Sequence, residues 1–417
     1  MIKKQILIPE TRHIKDAYKF PGFTPLARLE RGNIISSHNE VWVVKLNRRK
    51  KKTVCGCCGT VCRNWYDQRV KFVRDLDCGP FAIFLRFDQR RVDCPVCKKV
   101  RTEKLSFLAD ISRYTDRYAD WIGRQCREKS IKAVSEETGL CWDTVKDLDK
   151  IYMKKQLAAY PAVSPRVIGI DELSIGTGQT YRIIIHDLEK RRPIWVGDER
   201  GRKKEGIDAY FNSLSPEQKS GIELAVMDMW PPYKNSTNEH CSNARIHYDH
   251  FHIAKHLNTA IDNVRRLEYK RLTGEKRKCI KGSRYLLLAN RENLDEKGAG
   301  ILKELLQLNK RLNTAYLLKE DFERIWSYRT EAGARKFFDK WKSSLRWQRL
   351  EPLKKFAGLV ERHWDGIICG TKITEGIPMG FVEGMNCKIR AIQKRAYGIR
   401  DEEFLKLKIL TCTLPKI

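Results

Sequence analysis

Short apolar runs in the middle of the chain are followed directly by aspartates. Val167–Ile170 precedes Asp171, and Leu224–Met227 precedes Asp228. Continuous apolar runs of this length are typical of buried strands. The ends of such strands are where a sheet displays functional side chains. The pattern therefore predicts two buried strands, each with a carboxylate at its end.

The same pattern extends over a larger α/β region. Strands are predicted at 167–171, 181–187 and 194–197, a helix around 206–214, and strands at 222–228 and 245–248. Three strands, a helix and a fourth strand form the beginning of a ribonuclease-H-like domain. We therefore predict that residues 161–417 form an α/β ribonuclease-H-like catalytic domain.

A long helical segment interrupts this predicted domain. Residues from about 253 to 365 are amphipathic and rich in Lys, Arg, Leu and Trp. The strand pattern does not resume after them, which favours a helical insertion. A last helix is predicted from Gly380 to Leu410, with Glu383 near its start.

Two C-x-x-C pairs mark the first region, residues 1–109. Cys55 and Cys58 form one pair, and Cys94 and Cys97 form the other. Two such turns present four thiolates to one tetrahedral Zn²⁺, and the strand-like residues between them predict a zinc ribbon. Cys57 and Cys62 are weaker alternative ligands. The basic run Arg48, Arg49, Lys50, Lys51 and Lys52 precedes the first pair and is interpreted as a phosphate contact or as a solvated charge run.

Residues 110–160 predict a helix-turn-helix domain. Ser135 is small where two helices would touch, Gly139 suits the turn, and Val145 suits a buried anchor on the second helix. Thr144, Lys146 and Lys150 would then face a DNA groove. An ordinary pair of antiparallel helices is the alternative, and the charge of the chain favours DNA binding.

Composition supports a nucleic-acid partner. The 417 residues include 82 Lys and Arg against 52 Asp and Glu, a formal net charge of +30. Basic residues are spread along the chain, which favours an extended DNA path over a membrane-docking patch. The sequence shows no secretory signal, no apolar run long enough to span a bilayer and no phosphate-binding loop of the ATPase type. We expect a cytoplasmic, nucleoid-associated protein without a membrane partner.

Carboxylates in so basic a chain suit metal-dependent chemistry on phosphodiesters. Two aspartates and a glutamate are hard oxygen ligands of the kind that Mg²⁺ or Mn²⁺ prefers. Asp171 and Asp228 are the first two candidates, and Glu383 and Glu375 compete as the third. Glu383 is preferred because it opens a basic helical segment that includes Lys388, Arg390, Lys394 and Arg395 as candidate DNA contacts.

Two polar residues after the last predicted strand have a less certain role. Asp249 and His252 are interpreted either as a structural hydrogen bond or as a second layer of side chains around the metals, and the structural interpretation is favoured.

Four motifs together resemble one family. Gly169-Ile-Asp171-Glu-Leu, Val226-Met-Asp228-Met, Asp249-His-Phe-His252 and the run from Val382-Glu383-Gly-Met-Asn386 to Arg395-Ala-Tyr397-Gly398 are similar to the ISL-three family of bacterial insertion-sequence transposases. The resemblance implies an Asp-Asp-Glu triad at Asp171, Asp228 and Glu383. Between the cysteine pairs this chain has Trp65-Tyr-Asp-Gln-Arg69 where the family often has His-Asp-Arg.

We accordingly predict a DNA transposase. Its ribbon and helix-turn-helix would bind the terminal inverted repeats of a mobile element, and its triad would cleave and transfer strands. Because two ends must meet, we expect a homodimer or a higher assembly on DNA. A non-catalytic DNA-binding regulator derived from a transposase is the alternative, and a stand-alone structure-specific nuclease is a third class.

Overall fold

The computed structural model describes residues 14–32, 40–49, 51–161, 164–174, 181–197, 203–368 and 380–417, without the side chains of 14, 15, 275 and 276. The chain divides into two compact units. Residues 1–161 and 392–417 form the first, and residues 162–391 form the second. No helix in the described part of the chain combines the length and the apolar character that crossing a membrane requires.

A five-stranded sheet opens the first unit. Its strands are β1 (Phe23–Gly32), β2 (Val41–Arg48), β5 (Asp67–Arg74), β6 (Ala82–Cys94) and β7 (Lys99–Thr102), and a separate hairpin pairs β3 (Thr53–Val54) with β4 (Val61–Cys62). The sheet order is β1-β2-β6-β5, and β7 pairs with the far end of β6. Alternate residues such as Val44, Leu85 and Phe87 point into an apolar core.

Four helices complete the first unit. They are α1 (Asp116–Glu128), α2 (Ile131–Thr138), α3 (Trp142–Ala159) and α16 (Glu402–Thr411). Buried residues of all four, including Ile122, Val134, Leu148 and Phe404, form one apolar cluster. A Cβ on Gly123 would lie 2.2 Å from the Tyr152 ring, so the close approach of α1 and α3 requires glycine there.

The second unit is built on a mixed sheet. Its strands are β8 (Val167–Ser174), β9 (Tyr181–Asp187), β10 (Arg192–Val196), β11 (Leu224–Met227) and β12 (Arg245–Tyr248), in the order β10-β9-β8-β11-β12. The first three strands are antiparallel neighbours, whereas β11 runs parallel to β8 and to β12. The apolar runs of β8 and β11 are buried, as their sequences predict.

Helices cover both faces of this sheet. One face packs on α4 (Lys204–Asn212), α6 (Pro231–His240) and α7 (His250–Arg271) through an apolar core that includes Ile168, Ile170 and Met227. The other face contacts the start of α15 (Phe381–Arg395), where Val382 joins Val167, Leu224 and Val226.

The remaining helices of the second unit extend the first of these cores. They are α5 (Pro216–Ser220), α8 (Gly274–Ile280), α9 (Arg284–Leu288), α10 (Glu296–Leu308), α11 (Lys310–Glu323), α12 (Glu331–Ser344), α13 (Glu351–Arg362) and α14 (Trp364–Ile368), with 3-10 turns at Ile14–Tyr18, Arg291–Asn293 and Arg324–Ser327. The residues described between 253 and 365 thus contain helices and no strand, in line with the helical segment expected there.

Three local boundaries differ from the sequence expectations. β8 continues past Asp171 to Ser174 because it pairs with β9 along its whole length. The helix expected from Gly380 to Leu410 is two helices, since Tyr397 and Gly398 take left-handed φ values of 52° and 96° that end α15. Residues 392–417, which the sequence pattern places in the catalytic domain, belong to the first compact unit because α16 packs on α1 and α3.

Candidate active site and DNA-binding residues

Asp171, Asp228 and Asp249 come together at one edge of the second sheet. The parallel strands β11 and β8 pair Val226 with Gly169. Asp228 and Asp171 each lie two residues further along the chain, so the same register places them opposite each other. Met227 of β11 pairs with Tyr248 of β12, which places Asp249 beside Asp228 in the same way. The Asp249 backbone N–H also donates to the Met227 carbonyl at 2.9 Å. The strands thus gather three carboxylates.

Alternation along the strands places these carboxylates on the face that α15 covers. Gly169 and Val226 lie on that face, and Val382 of α15 packs there so closely that a Cβ on Gly169 would meet it at 3.1 Å. Glu172, the neighbour of Asp171, points to the opposite face and accepts a hydrogen bond from the Tyr233 hydroxyl of α6 at 2.5 Å. Glu172 is therefore separated from the candidate site.

The first turns of α15 bring two further residues to this edge. Asn386 is buried and its side-chain amide donates a hydrogen bond to Asp171 Oδ2. Glu383 precedes it by three residues, about one turn of helix, and its side chain is exposed in the first turn. Sequence reasoning did not assign a role to Asn386, although the spacing Glu383-x-x-Asn386 places both residues on neighbouring positions of one helix.

The charges at this edge influence one another. Burial raises the pKa of Asp171, whereas the Glu172 backbone, His252 and the Asn386 amide act in the opposite direction. The Asp249 carboxylate, 3.6 Å from His252 Nδ1, raises the pKa of His252, and the charges of Asp171 and Asp228 add to that effect. The nearby aspartates therefore favour the protonated form of His252.

Asp249 also has a structural role. Its side chain accepts a hydrogen bond from the Phe251 backbone N–H at 3.0 Å and caps the start of α7. Asp228 similarly accepts from the Trp230 backbone N–H at 2.9 Å, in the turn between β11 and α6. Both aspartates are thus oriented by the backbone that follows their strands.

The carboxylates are not drawn together as closely as the cysteines. Within the described residues, the four cysteines form the only group of three or more His, Cys, Asp or Glu side chains whose ligand atoms all lie within 4.8 Å of one another. Asp171, Asp228 and Glu383 do not reach this spacing. Glu375, the rival of Glu383, lies outside the described residues.

Cys55, Cys58, Cys94 and Cys97 form a compact cluster in the first unit. The Sγ atoms of Cys58 and Cys94 are 3.5 Å apart, and those of Cys55 and Cys97 are 3.9 Å apart. Four thiolates around Zn²⁺ at about 2.3 Å each have sulfur–sulfur distances of this size. The Thr60 hydroxyl lowers the pKa of Cys58 to about 6, which favours the thiolate that binds a metal. The cluster is therefore suited to Zn²⁺.

Local turns assemble the cysteines. Cys55 and Cys58 flank a turn that Gly59 closes at φ 76°, and Lys98 takes φ 53° just after Cys97. A Cβ on Gly56 would lie 2.4 Å from the Thr102 carbonyl, to which the Gly56 N–H donates, so no larger residue fits there. Cys57 and Cys62, the weaker alternative ligands, are not members of the cluster.

The helix-turn-helix has the features expected from its sequence. Gly139 ends α2 at φ 67°, Val145 of α3 is completely buried, and the Ser135 hydroxyl donates to the Leu140 carbonyl at 2.6 Å across the turn. Ser130 caps α2 by accepting from the Ala133 N–H. The small residue, the turn glycine and the buried anchor thus occupy their predicted places.

The predicted DNA contacts on α3 have partners within the protein. Lys146 and Lys150 each lie 2.8 Å from an Asp401 carboxylate oxygen, and Lys150 lies 2.9 Å from Glu403. Thr144 Oγ1 lies 2.8 Å from the Cys141 sulfur. Sequence reasoning missed these acidic partners because they belong to the start of α16, far along the chain.

The other candidate DNA contacts fall into two groups. Arg48 is engaged by the Glu103 carboxylate and the Asp88 carbonyl, and Arg395 donates to the carbonyls of Arg127 and Glu128. The exposed candidates are Arg49, Lys51, Lys52, Lys388, Arg390 and Lys394. Lys50 lies outside the described residues. Exposed side chains are the ones that remain available to phosphates.

Comparisons with known proteins agree with this arrangement. Residues 168–409 match the profile of a family described as "Transposase", of the ISL3 type, and residues 103–150 match the helix-turn-helix domain of transposase family ISL3. The first match covers β8 to α16 and includes all three candidate carboxylates.

Named relatives cover most of the chain. It is 33% identical over 369 residues to the transposase for insertion sequence element IS1001 of Bordetella parapertussis, covering 88% of this chain and 90% of that protein. It is 26% identical over 380 residues to the transposase for insertion sequence element IS1557 of Mycobacterium tuberculosis, covering 84% of this chain and 83% of that protein.

An acidic sheet edge, a helix-turn-helix and these matches define an insertion-sequence transposase of the DDE class. The chain belongs to the ISL3 transposase family, the ISL-three family that its motifs resemble.

Proposed function

We propose that this protein binds the terminal inverted repeats of an insertion sequence, cleaves a strand at each end, and joins the freed 3′-hydroxyl to target DNA. The observation that carries the proposal is the convergence of Asp171 and Asp228 on one sheet edge beneath the start of the helix that bears Glu383. The strand order, with antiparallel β9 beside β8 and parallel β11 and β12, supports a ribonuclease-H-like catalytic domain.

The charge balance of the edge suits divalent cations. Burial disfavours the ionised form of Asp171, and Asp228 and Asp249 add negative charge beside it. A protonated His252 would offset only part of that charge. Asp171, Asp228 and Glu383 would hold Mg²⁺ or Mn²⁺ through oxygen ligands, as these hard cations prefer. Bound at this edge, the cations would activate the attacking oxygen and stabilise the leaving oxygen of the phosphodiester.

The protein side chains would position the reacting groups. The Asn386 amide would hold Asp171 in one orientation, and the backbone N–H of Trp230 would do the same for Asp228. A protonated His252 would lower the cost of the Asp171 charge and so oppose the rise that burial causes in the pKa of Asp171. Exposed basic residues on α15, namely Lys388, Arg390 and Lys394, would contact the phosphates that flank the cleaved bond.

In the first unit, the four-cysteine cluster would bind Zn²⁺ and hold the ribbon turns together. The helix-turn-helix would supply sequence recognition of the repeats. Because two element ends must be cut and joined together, the active form would be a homodimer or a higher assembly on DNA.

The test is cleavage of labelled element ends in the presence of Mg²⁺. The end sequences come from the inverted repeats that flank the gene. Asp171→Asn should abolish cleavage and strand transfer while leaving DNA binding intact, because Asn keeps the shape but loses the charge. Glu172→Gln is the matched control, since Glu172 lies next to Asp171 on the opposite face of β8. Cleavage by Asp171→Asn at the parent rate would overturn the assignment.

A further inference from the structure

The turn between α15 and α16 holds a tyrosine in an unfavourable conformation. Tyr397 has φ 52°, in the left-handed region where side chains other than glycine's are strained. Its side chain is 96% exposed, so no packing within the protein compensates for that strain. The Tyr397 backbone N–H donates to the Lys394 carbonyl, and the Gly398 backbone N–H donates to the Gln393 carbonyl. These two hydrogen bonds fix the turn. An aromatic ring held outward in this way points to a binding role.

Tyr397 borders a surface pocket of about 390 Å³ in the first unit. The pocket lies at the start of α3, and Trp142, itself 47% exposed, lines it together with Tyr397. Buried Ile131 and Phe404 also line it and give it an apolar interior. This volume lies within the range of small-ligand sites, which is about 300–1,000 Å³.

The rim of this pocket carries basic side chains. Lys132, Lys146 and Arg400 line it together with one carboxylate, Asp401, which pairs with Lys146 and Lys150, and Lys132 lies 3.8 Å from Glu136 in an exposed ion pair. Lys132 and Arg400 are exposed at the edge of the pocket. The Lys146 ammonium also lies 5.2 Å from the Trp142 ring centre, which restrains that ring. The pocket thus combines exposed aromatic surface with a basic rim.

We propose that this pocket binds one unpaired nucleotide of the DNA, with its base against Trp142 and Tyr397 and its phosphates on Lys132 and Arg400. Paired bases within a duplex do not expose their faces, so rings that line a concave site can stack only on a base that has left the helix. The proposal rests on the proposed function as a DNA-binding transposase. It goes further by assigning a base-binding site outside the acidic edge, at the start of α3 beside Lys146.

The experiment measures the affinity of the full chain for two labelled duplexes by fluorescence anisotropy. One duplex is fully paired, and the other carries a single unpaired 2-aminopurine in the same sequence. The parent protein should prefer the second duplex by about tenfold or more, the usual effect of one stacked base. The emission of 2-aminopurine should fall on binding, because stacking on an aromatic ring quenches it.

Two variants should remove this preference without weakening binding to the paired duplex. Tyr397→Gly relieves the left-handed strain, so its melting temperature should be no lower than that of the parent, which separates binding from folding. Trp142→Ala removes the second ring. Tyr397→Phe should keep the preference, and so should Tyr285→Ala, which removes an aromatic residue that is 77% exposed in the second unit.

Equal affinity of the parent for both duplexes, or a preference that survives both Tyr397→Gly and Trp142→Ala, would overturn the pocket assignment. A parent that cleaves element ends but shows no preference would refute the pocket alone. A parent that binds neither duplex would refute the proposed function too.

Discussion

The four cysteines come from two short turns, one in the β3–β4 hairpin and one between β6 and β7, whereas the three candidate carboxylates come from two strands and a helix separated by a long helical segment. Short turns hold the cysteine sulfurs within 4.8 Å of one another, and the carboxylates are not gathered to that degree. The first site is set by local geometry. The second depends on how α15 packs against a distant strand, through Val382 and Asn386. A substitution in the cysteine cluster should therefore unfold the surrounding structure. A substitution among the carboxylates should reduce the reaction rate before it affects folding.

The largest effect should come from the cysteine cluster. Cys94→Ser removes one ligand from a buried position, and structural Zn²⁺ contributes about 10–16 kcal/mol in small zinc domains. We expect the first unit to lose its cooperative melting transition and its Zn²⁺, measured by thermal denaturation and elemental analysis. Cys57→Ser is the control, because Cys57 is exposed and outside the cluster. If Cys94→Ser kept its full Zn²⁺ content, Cys94 would not be a ligand and the four-cysteine assignment would be wrong.

Glu383→Gln should give the next largest effect, this time without unfolding. Removing a metal-binding carboxylate costs several kcal/mol of transition-state stabilisation, about 10³-fold or more in cleavage rate. The melting temperature should stay at the parent value, because Glu383 is exposed. Glu375→Gln tests the rival glutamate and should leave cleavage unchanged. If the two variants exchanged these results, the third ligand would be Glu375.

Asn386→Ala should weaken cleavage without removing it. Groups that orient a metal ligand usually contribute about 10- to 100-fold in activity or metal affinity. The expected loss falls in that range, and a higher Mg²⁺ concentration should partly restore the rate in a titration of cleavage against Mg²⁺. Cys387→Ala changes the next residue, which is exposed, and should match the parent. An unchanged Mg²⁺ dependence in Asn386→Ala would mean that its contact with Asp171 does not support the site.

The smallest effect concerns the first unit alone. Asp401→Asn keeps the cap on α16 but removes the charge that pairs with Lys146 and Lys150, at a cost of about 1 kcal/mol of unfolding free energy. Lys146 and Lys150 hold the pKa of Asp401 well below its ordinary value. This stabilisation is therefore complete above the unfolded pKa of about 4 and is lost as pH falls through the lower folded value.

Urea denaturation at neutral pH and in acid tests this sign. The difference in unfolding free energy between the parent and Asp401→Asn should have its full value at neutral pH. It should become smaller under the most acidic conditions. Asp147→Asn, an exposed carboxylate on α3, should leave stability unchanged at both. A difference that grows on acidification would show that the carboxylate is not ionised in the folded state.

Much of this architecture is readable from the sequence because it rests on local patterns. The helix-turn-helix follows from Ser135, Gly139 and Val145, and the buried strands follow from the runs before Asp171 and Asp228. The cysteine spacing likewise identifies the cluster. Each of these features depends on residues a few positions apart, where turn geometry and apolar periodicity decide the outcome.

Two sets of contacts between distant residues were not predicted. The Asn386 amide reaches Asp171 across 215 residues, and Asp401 reaches Lys146 and Lys150 from the far end of the chain. A lysine on a recognition helix looks the same in sequence whether it faces DNA or an aspartate. Only the packing of α16 on α3 distinguishes these cases.

The packing of residues 392–417 with residues 1–161 also sets an order of events during synthesis. Lys408 lies 2.6 Å from the buried Asp149 carboxylate, and the Gln156 amide donates to the Pro415 carbonyl, 259 residues away. While the chain is being made, α3 is completed long before these partners emerge from the ribosome. The Asp149 carboxylate gains this cation only after Lys408 has been made. The final packing of the first unit therefore requires residues that are translated after the whole of the second unit.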